Sequence, residues 1–198
     1  MTHRIRGGEV RVRIPGVCLS PSRFRELAVK GIKRKSGWGI LPRPRLRKIA
    51  EEMLYVPYYF FRLVNPKYRG RFYLYQVLVD GILGFSEFIR GPFQLREVSV
   101  PEDLILERTI SREEAETKAR KAVASFVLRR QSLWVREVKV ELIEEGDLHF
   151  PYFVCYLEGE EGIDLLALNG LTGSLAGPRP ENILRAGIAR AEWRRDRS

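Results

Sequence analysis

The spacing of apolar residues changes several times along the chain, and each change marks an expected element. Residues 9–14 alternate Val and Ile with charged residues, the two-residue period of a short, half-exposed strand. Ser20-Pro21 then reads as a helix N-cap followed by proline at the first helical position. Phe24, Leu27, Ala28 and Ile32 recur roughly on one face behind it, which predicts a basic helix to about Lys35. Gly37, Gly39, Pro42 and Pro44 break that helix, and a second short one is expected over residues 45–53.

From residue 54 the period shortens. Aromatic and β-branched residues fill 54–64, Asn65-Pro66-Lys67-Tyr68-Arg69-Gly70 is turn-forming, and a second strand follows over 72–79. Asp80-Gly81 signals a hairpin, because both residues tolerate the positive φ of a type I′ turn. A third strand, 82–90, should pair back on the second, with a fourth over 93–100. Ser111-x-x-Glu114 is a capping box, and Ala115, Ala119, Ala122, Val123, Phe126 and Val127 repeat at helical spacing behind it, predicting a helix to about Arg130. Strands are expected over 134–143, 148–157 and 163–168. Asn169-Gly170 then signals a hairpin into a short strand near 174–176, and a basic helix over 181–193 closes the chain.

Two stretches of this pattern match each other. Val56-Pro57-Tyr58-Tyr59-Phe60-Phe61-Arg62-Leu63 aligns with Phe150-Pro151-Tyr152-Phe153-Val154-Cys155-Tyr156-Leu157, and Val79-Asp80-Gly81-Ile82-Leu83-Gly84 aligns with Leu168-Asn169-Gly170-Leu171-Thr172-Gly173. The offset is 94 residues at the prolines and 89 at the turns, so the first copy has a loop five residues longer. A repeated pair of motifs in the same order points to an internal repeat.

The second copy, residues 110–177, resembles the PepSY family of small helix-plus-antiparallel-sheet domains. The resemblance lies in the helix opening Ile110-Ser111-Arg112-Glu113-Glu114-Ala115, the strand Pro151-Tyr152-Phe153-Val154 and the closing Leu168-Asn169-Gly170-Leu171-Thr172-Gly173. In that family the closing segment usually reads Val-Asp-Ala-x-Thr-Gly, from which Leu168, Asn169 and Gly170 depart, while the first copy keeps Val79-Asp80 but has Leu83 before Gly84. The resemblance implies a cystatin-like curved sheet packed on a helix, without catalytic residues of its own. By analogy with the family it also implies a role in peptidase regulation, although most of the family lies outside the cytoplasm or at membranes. The expected fold class is therefore α+β, with two PepSY-like helix-plus-antiparallel-sheet units in tandem. A basic strand-and-helix segment spans 1–42, the repeats span 43–100 and 101–178, and a basic helix spans 179–198.

Charge changes the picture by region. The first 50 residues carry 14 Lys or Arg against two acids, residues 51–180 carry 16 against 20, and the last 18 carry five against three. The excess of +10 thus sits at the ends, chiefly the first quarter. A block of one sign suits an anionic partner, because released counterions drive binding to phosphates. No apolar run approaches the roughly 20 residues that a bilayer crossing needs, so no membrane insertion is expected. Met1-Thr2-His3-Arg4 opens no apolar signal core, which makes a cytoplasmic location the expectation. Cys18 and Cys155 belong to no Cys-x-x-Cys or Cys/His cluster, and neither a zinc site nor a disulfide framework follows from them.

Enzyme signatures are missing. His3 and His149, the only histidines, have no candidate nucleophile or carboxylate in a recognisable arrangement, and no Gly-rich phosphate loop occurs. Asp80, with Asp164 as a partner, is the best apparent acid, but Asn169 in the equivalent place argues for turn geometry rather than ionisation. No catalytic residue, metal ligand or cofactor is therefore assigned. Two binding constellations remain. Lys33, Arg34, Lys35, Arg43, Arg45, Arg47 and Lys48 around Trp38 combine phosphate-neutralising cations with a stacking ring, a candidate nucleic-acid surface. Tyr55, Tyr59, Phe61, Tyr73 and Tyr75 form one side of an aromatic run and are a candidate surface for a protein partner. The expected function is a non-catalytic interaction module that binds a protein through a sheet face or edge. A nucleic-acid accessory protein is the alternative, and a homodimer through an open edge is a further candidate.

Overall fold

The computed structural model describes residues 8–16, 18–37, 47–68, 71–89, 94–130, 140–159 and 162–195. The strands are β1 (Glu9–Pro15), β2 (Arg47–Tyr68), β3 (Arg71–Asp80), β4 (Ser86–Ile89), β5 (Leu95–Pro101), β6 (Glu141–Gly159) and β7 (Gly162–Asn169). The helices are α1 (Pro21–Gly37), α2 (Arg112–Arg130) and α3 (Pro178–Arg195), with a short 3-10 turn at Glu102–Leu104. β1 and β5 form a two-stranded antiparallel ribbon, and a second sheet has the order β4-β3-β2-β6-β7. The chain is thus an α+β protein with two antiparallel sheets.

Two compact units share these elements. One comprises Met1–Val56, Gln94–Leu106 and His149–Ser198; the other comprises Pro57–Phe93 and Glu107–Leu148. In the first unit, alternation along the ribbon turns Val12, Ile14 and Val100 inward, where Cys18, Tyr55, Val98 and Ile105 pack on them, while Arg11 and Arg13 stay exposed. Phe24 and Ala28 of α1 are buried with Phe153, Cys155, Leu157, Leu166 and Leu168 of β6 and β7, and the Phe24 ring stacks on Phe153 at 5.2 Å. Burying one such ring contributes about 1.5–3 kcal/mol. Gly31 lets α1 lie close to the sheet, since a Cβ there would meet side-chain carbons of Leu175 and Leu166 at 3.1 and 3.2 Å. α3 lies against β7 with Ile183 and Leu184 buried, and Arg185 pairs with Asp164 at 2.5 Å.

In the second unit α2 covers the β2–β3 hairpin. Ala115, Ala119, Val123 and Val127 of the helix are buried with Tyr59, Phe61, Leu63, Val77 and Val79. The two alanines carry little bulk, so the aromatic rings of β2 can fill the space beneath the first turns. Ser111 caps the helix as its sequence predicts, its hydroxyl accepting the Glu114 N–H at 3.2 Å. Glu114, the other half of the expected capping box, instead pairs with Lys118 at 3.5 Å.

Several expectations need correction. Residues 45 and 46 of the short helix expected over 45–53 lie outside the described residues, and from Arg47 that stretch is the beginning of β2. Its Arg, Lys, Ala, Glu and Met residues favour helix weakly, but partners on β6 hold them extended: Arg47 pairs with Glu158 at 2.6 Å and the Tyr156 hydroxyl donates to Glu52 at 2.5 Å. Arg62 pairs with Glu144 at 2.7 Å farther along, so the partners run in opposite order, the antiparallel relation. Residues 134–139 of the expected 134–143 strand lie outside the described residues, and from Glu141 the two expected strands are one. Of the strand expected over 82–90, residue 90 lies outside the described residues and the rest forms a strand only over Ser86–Ile89, while near 174–176 the described residues form a single bridge, Leu168 to Leu175.

The cores do not follow the tandem order either. The helix of the second repeat, α2, lies over the hairpin of the first, while α1, upstream of the first, lies over the hairpin of the second. Strand length explains the exchange. β2 has 22 residues and β6 has 19, and each contributes one half to each unit, so the chain leaves its helix's unit along the strand.

Candidate protein-docking edge

The turn from β3 into β4 is built around Asp80. Its side chain is buried, with 0% exposure, and its carboxylate accepts four backbone N–H groups. Oδ1 takes those of Ile82, Leu83 and Gly84 at 3.1, 2.6 and 3.2 Å, and Oδ2 takes that of Phe85 at 2.5 Å. The positive φ falls on Gly84, at 75°, and not on Gly81, so the expected type I′ hairpin at Asp80-Gly81 is replaced by a longer loop. Gly81 is small for another reason: a Cβ would meet the Pro57 carbonyl oxygen at 3.1 Å and Arg108 Cγ at 3.0 Å. The second turn repeats this plan in its own unit. Asn169 Oδ1 accepts the N–H groups of Leu171 and Thr172 at 2.9 and 3.1 Å, and Gly173 has φ 71°.

This loop delivers β4 to the outer side of β3. The Asp80 N–H donates to the Phe85 carbonyl at 3.1 Å, and the register continues Val79 to Ser86, Leu78 to Glu87, Val77 to Phe88 and Gln76 to Ile89. In an antiparallel ladder bonded and non-bonded pairs alternate. Glu87 and Ile89 therefore bond to β3, while the N–H and C=O groups of Ser86 and Phe88 point away from it. Among the described residues no strand pairs with that side of β4.

Phe88 shares a sheet face with Val77, the face that α2 covers. Its ring lies 5.0 Å from that of Phe126 and 6.3 Å from that of Tyr75, and Phe126 and Tyr75 are 5.9 Å apart, edge to face. Phe88 keeps 36% of its surface exposed at the margin of this cluster. On the helix flank beside it stand Lys118, Ala122, Ser125 and Arg129, in the order set by 3.6 residues per turn. Lys118 and Phe126 mark this as the β4 side, since the Lys118 stem lies against Gly84 and the Phe126 ring against Phe88.

Of the aromatic residues expected on a partner surface, Tyr75 belongs to this cluster and Tyr73 is exposed beside it on β3. Tyr59 and Phe61 do not form a free face. They are core residues under α2, because strand alternation sends them to the side the helix covers. The Tyr59 hydroxyl donates to the Ile110 carbonyl at 2.9 Å, and the Arg108 guanidinium lies 4.7 Å above its ring. Tyr55 packs beside the β1–β5 ribbon in the other unit, where burial pushes its phenol up. Ser86, Phe88, Lys118 and Arg129 were not singled out by the sequence, and Phe126 stood out only as part of the apolar face of α2. The alternation in Phe85-Ser86-Glu87-Phe88-Ile89 is a strand signal, but nothing local says that this strand ends a sheet.

The basic candidates are divided. Arg47 pairs with Glu158, and Lys48 and Arg25 both pair with Glu51, so these cations are already partnered. Trp38, Arg43 and Arg45 lie outside the described residues, as do the side chains of Lys33, Arg34 and Lys35. Both cysteines are free thiols; burial pushes Cys155 up to about 11 and also raises Cys18. Among the described residues no three His, Cys, Asp or Glu side chains are placed to hold a metal ion, and no helix is long and apolar enough to cross a membrane.

The fold defines an α+β protein with antiparallel sheets. No known protein family, curated protein or solved structure matches this chain.

Proposed function

We propose that this chain is a non-catalytic interaction module, built from two diverged copies of one PepSY-like unit, which binds an extended segment of another protein along β4. The observation that carries the reading is the open side of β4 beside a half-exposed aromatic cluster. An added strand gains main-chain hydrogen bonds from the edge, while its alternate side chains meet the rings. The duplication is supported by the matching Asp80 and Asn169 loops and by the Ser20 and Ser111 N-caps.

Selection of a displayed random heptapeptide library on the full chain tests the docking edge. Ser86→Pro removes an outward N–H without touching the ladder to β3, and Phe88→Ala removes the exposed ring. Peptides selected on the wild type should lose at least about tenfold in affinity with either variant, and a cooperative melting transition in each variant checks that the fold is kept. Peptides indifferent to both changes would place the binding elsewhere.

The ribbon carries a second reading. Arg11 and Arg13 are exposed on the β1 face opposite Val12 and Ile14, next to the most basic part of the chain. A two-stranded ribbon is a shape that enters a nucleic-acid groove. Retention of DNA or RNA that falls steeply with salt and with Arg11→Glu would favour it.

A further inference from the structure

Resting on the β4 docking reading, the charge on the flank of α2 specifies what kind of segment the edge takes. Lys118 and Arg129 are eleven residues apart on α2, about 16 Å at 1.5 Å per residue. Between them Ala122 and Ser125 are the small side chains on the same flank, and Phe88 and Phe126 lie at their feet. Among the described residues no acid pairs with Arg129, which is exposed, and the Lys118 contact with Glu114 is a half-exposed pair at 3.5 Å that an incoming carboxylate can replace at little cost. The strip is therefore cationic at both ends and apolar in the middle.

In an extended chain every second side chain points to one face, and the first and fifth are four rises or about 13 Å apart, a span that the long Lys118 and Arg129 side chains can meet. A strand laid along β4 thus presents its first, third and fifth side chains to α2. We infer that β4 and α2 together bind an extended peptide of the pattern acid-x-apolar-x-acid, its central side chain on Phe88 and Phe126 and its two carboxylates at Lys118 and Arg129. The main-chain bonds to Ser86 and Phe88 set the register, and the cations select the sequence.

The peptides selected from the heptapeptide library decide the matter, because the same experiment separates the edge from the charges. Enrichment of Asp or Glu two residues to either side of an apolar residue is expected. A synthetic peptide of that pattern should bind at least about tenfold more weakly to Arg129→Glu. The double variant Lys118→Glu, Arg129→Glu should select Lys or Arg at the same two positions. Thermal melting of each variant checks that a lost affinity is not a lost fold. Selected peptides that depend on Ser86 but show no acidic preference, and bind Arg129→Glu as well as wild type, overturn this inference and leave the docking edge standing. If no selected peptide responds to Ser86→Pro, both fall. They fall equally if a single-stranded RNA or DNA 20-mer, and no peptide, binds in a manner sensitive to Arg129→Glu.

Discussion

Asp80 shows how a residue that resembles an acid catalyst can be a structural acceptor. Its carboxylate is inaccessible, and all four of its hydrogen bonds come from the loop it encloses. Replacement by alanine leaves buried N–H groups without partners, a cost of about 1–3 kcal/mol for each one that water does not reach. Asp80→Ala should therefore lower unfolding stability by about 3–5 kcal/mol, and Asp80→Asn by less, since a carboxamide oxygen can keep the three bonds made to Oδ1. Urea unfolding of the two variants measures the difference. A loss below about 0.5 kcal/mol for the alanine variant would show that the loop does not need this acceptor. That Asp80 and Asn169 are turn formers was legible in the sequence from their equivalence. The type of turn was not, because Asp80-Gly81 satisfies a two-residue hairpin locally and only the position of β4 selects the longer loop with Gly84 at positive φ.

At the scale of elements, the beginning of β2 is where local preference and final structure part. Glu51 there accepts from Lys48 at 2.6 Å and from Arg25 of α1 at 2.7 Å. These two donors hold its carboxyl below the ordinary 4.5, against a smaller opposing push from burial. A group whose folded pKa is depressed stabilises the fold above its unfolded value and loses that support as pH falls through its folded value. The advantage of wild type over Glu51→Gln should accordingly be full near pH 6 and shrink below about pH 4.5. Melting curves of both proteins over that range test it, and a gap that widens on acidification would contradict the pairing. α2 was readable because its N-cap, its apolar spacing and its packing all agree. For residues 47–53 they disagree, and strand pairing with β6 overrides a helix preference worth only tenths of a kcal/mol per residue.

At the scale of the whole molecule, each core draws on both halves of the sequence. The residues buried under α2 come from β2 and β3, and those buried under α1 come from β6 and β7. Separate fragments 1–93 and 94–198 should each lack the helix that covers their hairpin. Neither alone should show a dispersed amide spectrum or cooperative unfolding, and an equimolar mixture should recover both. A single fragment that melts cooperatively as a monomer would show that its hairpin finds cover within its own half. Sequence similarity identifies like elements and carries no information on which helix covers which hairpin.

The sequence by itself determined the α+β class, three of the helices' and strands' turning points at Ser20, Ser111 and Asn169, and that no helix among the described residues is long and apolar enough to cross a membrane, since each depends on periodicity or on a bond between neighbours. Only the tertiary structure decided that Tyr59 and Phe61 are core, that one side of β4 pairs with no strand among the described residues, and that Phe88 and Phe126 meet between Lys118 and Arg129. The core under α2 and the Phe88–Phe126 contact join residues more than 30 positions apart, and the edge depends on strand order; both are settled by packing across the whole chain rather than by any local run of residues.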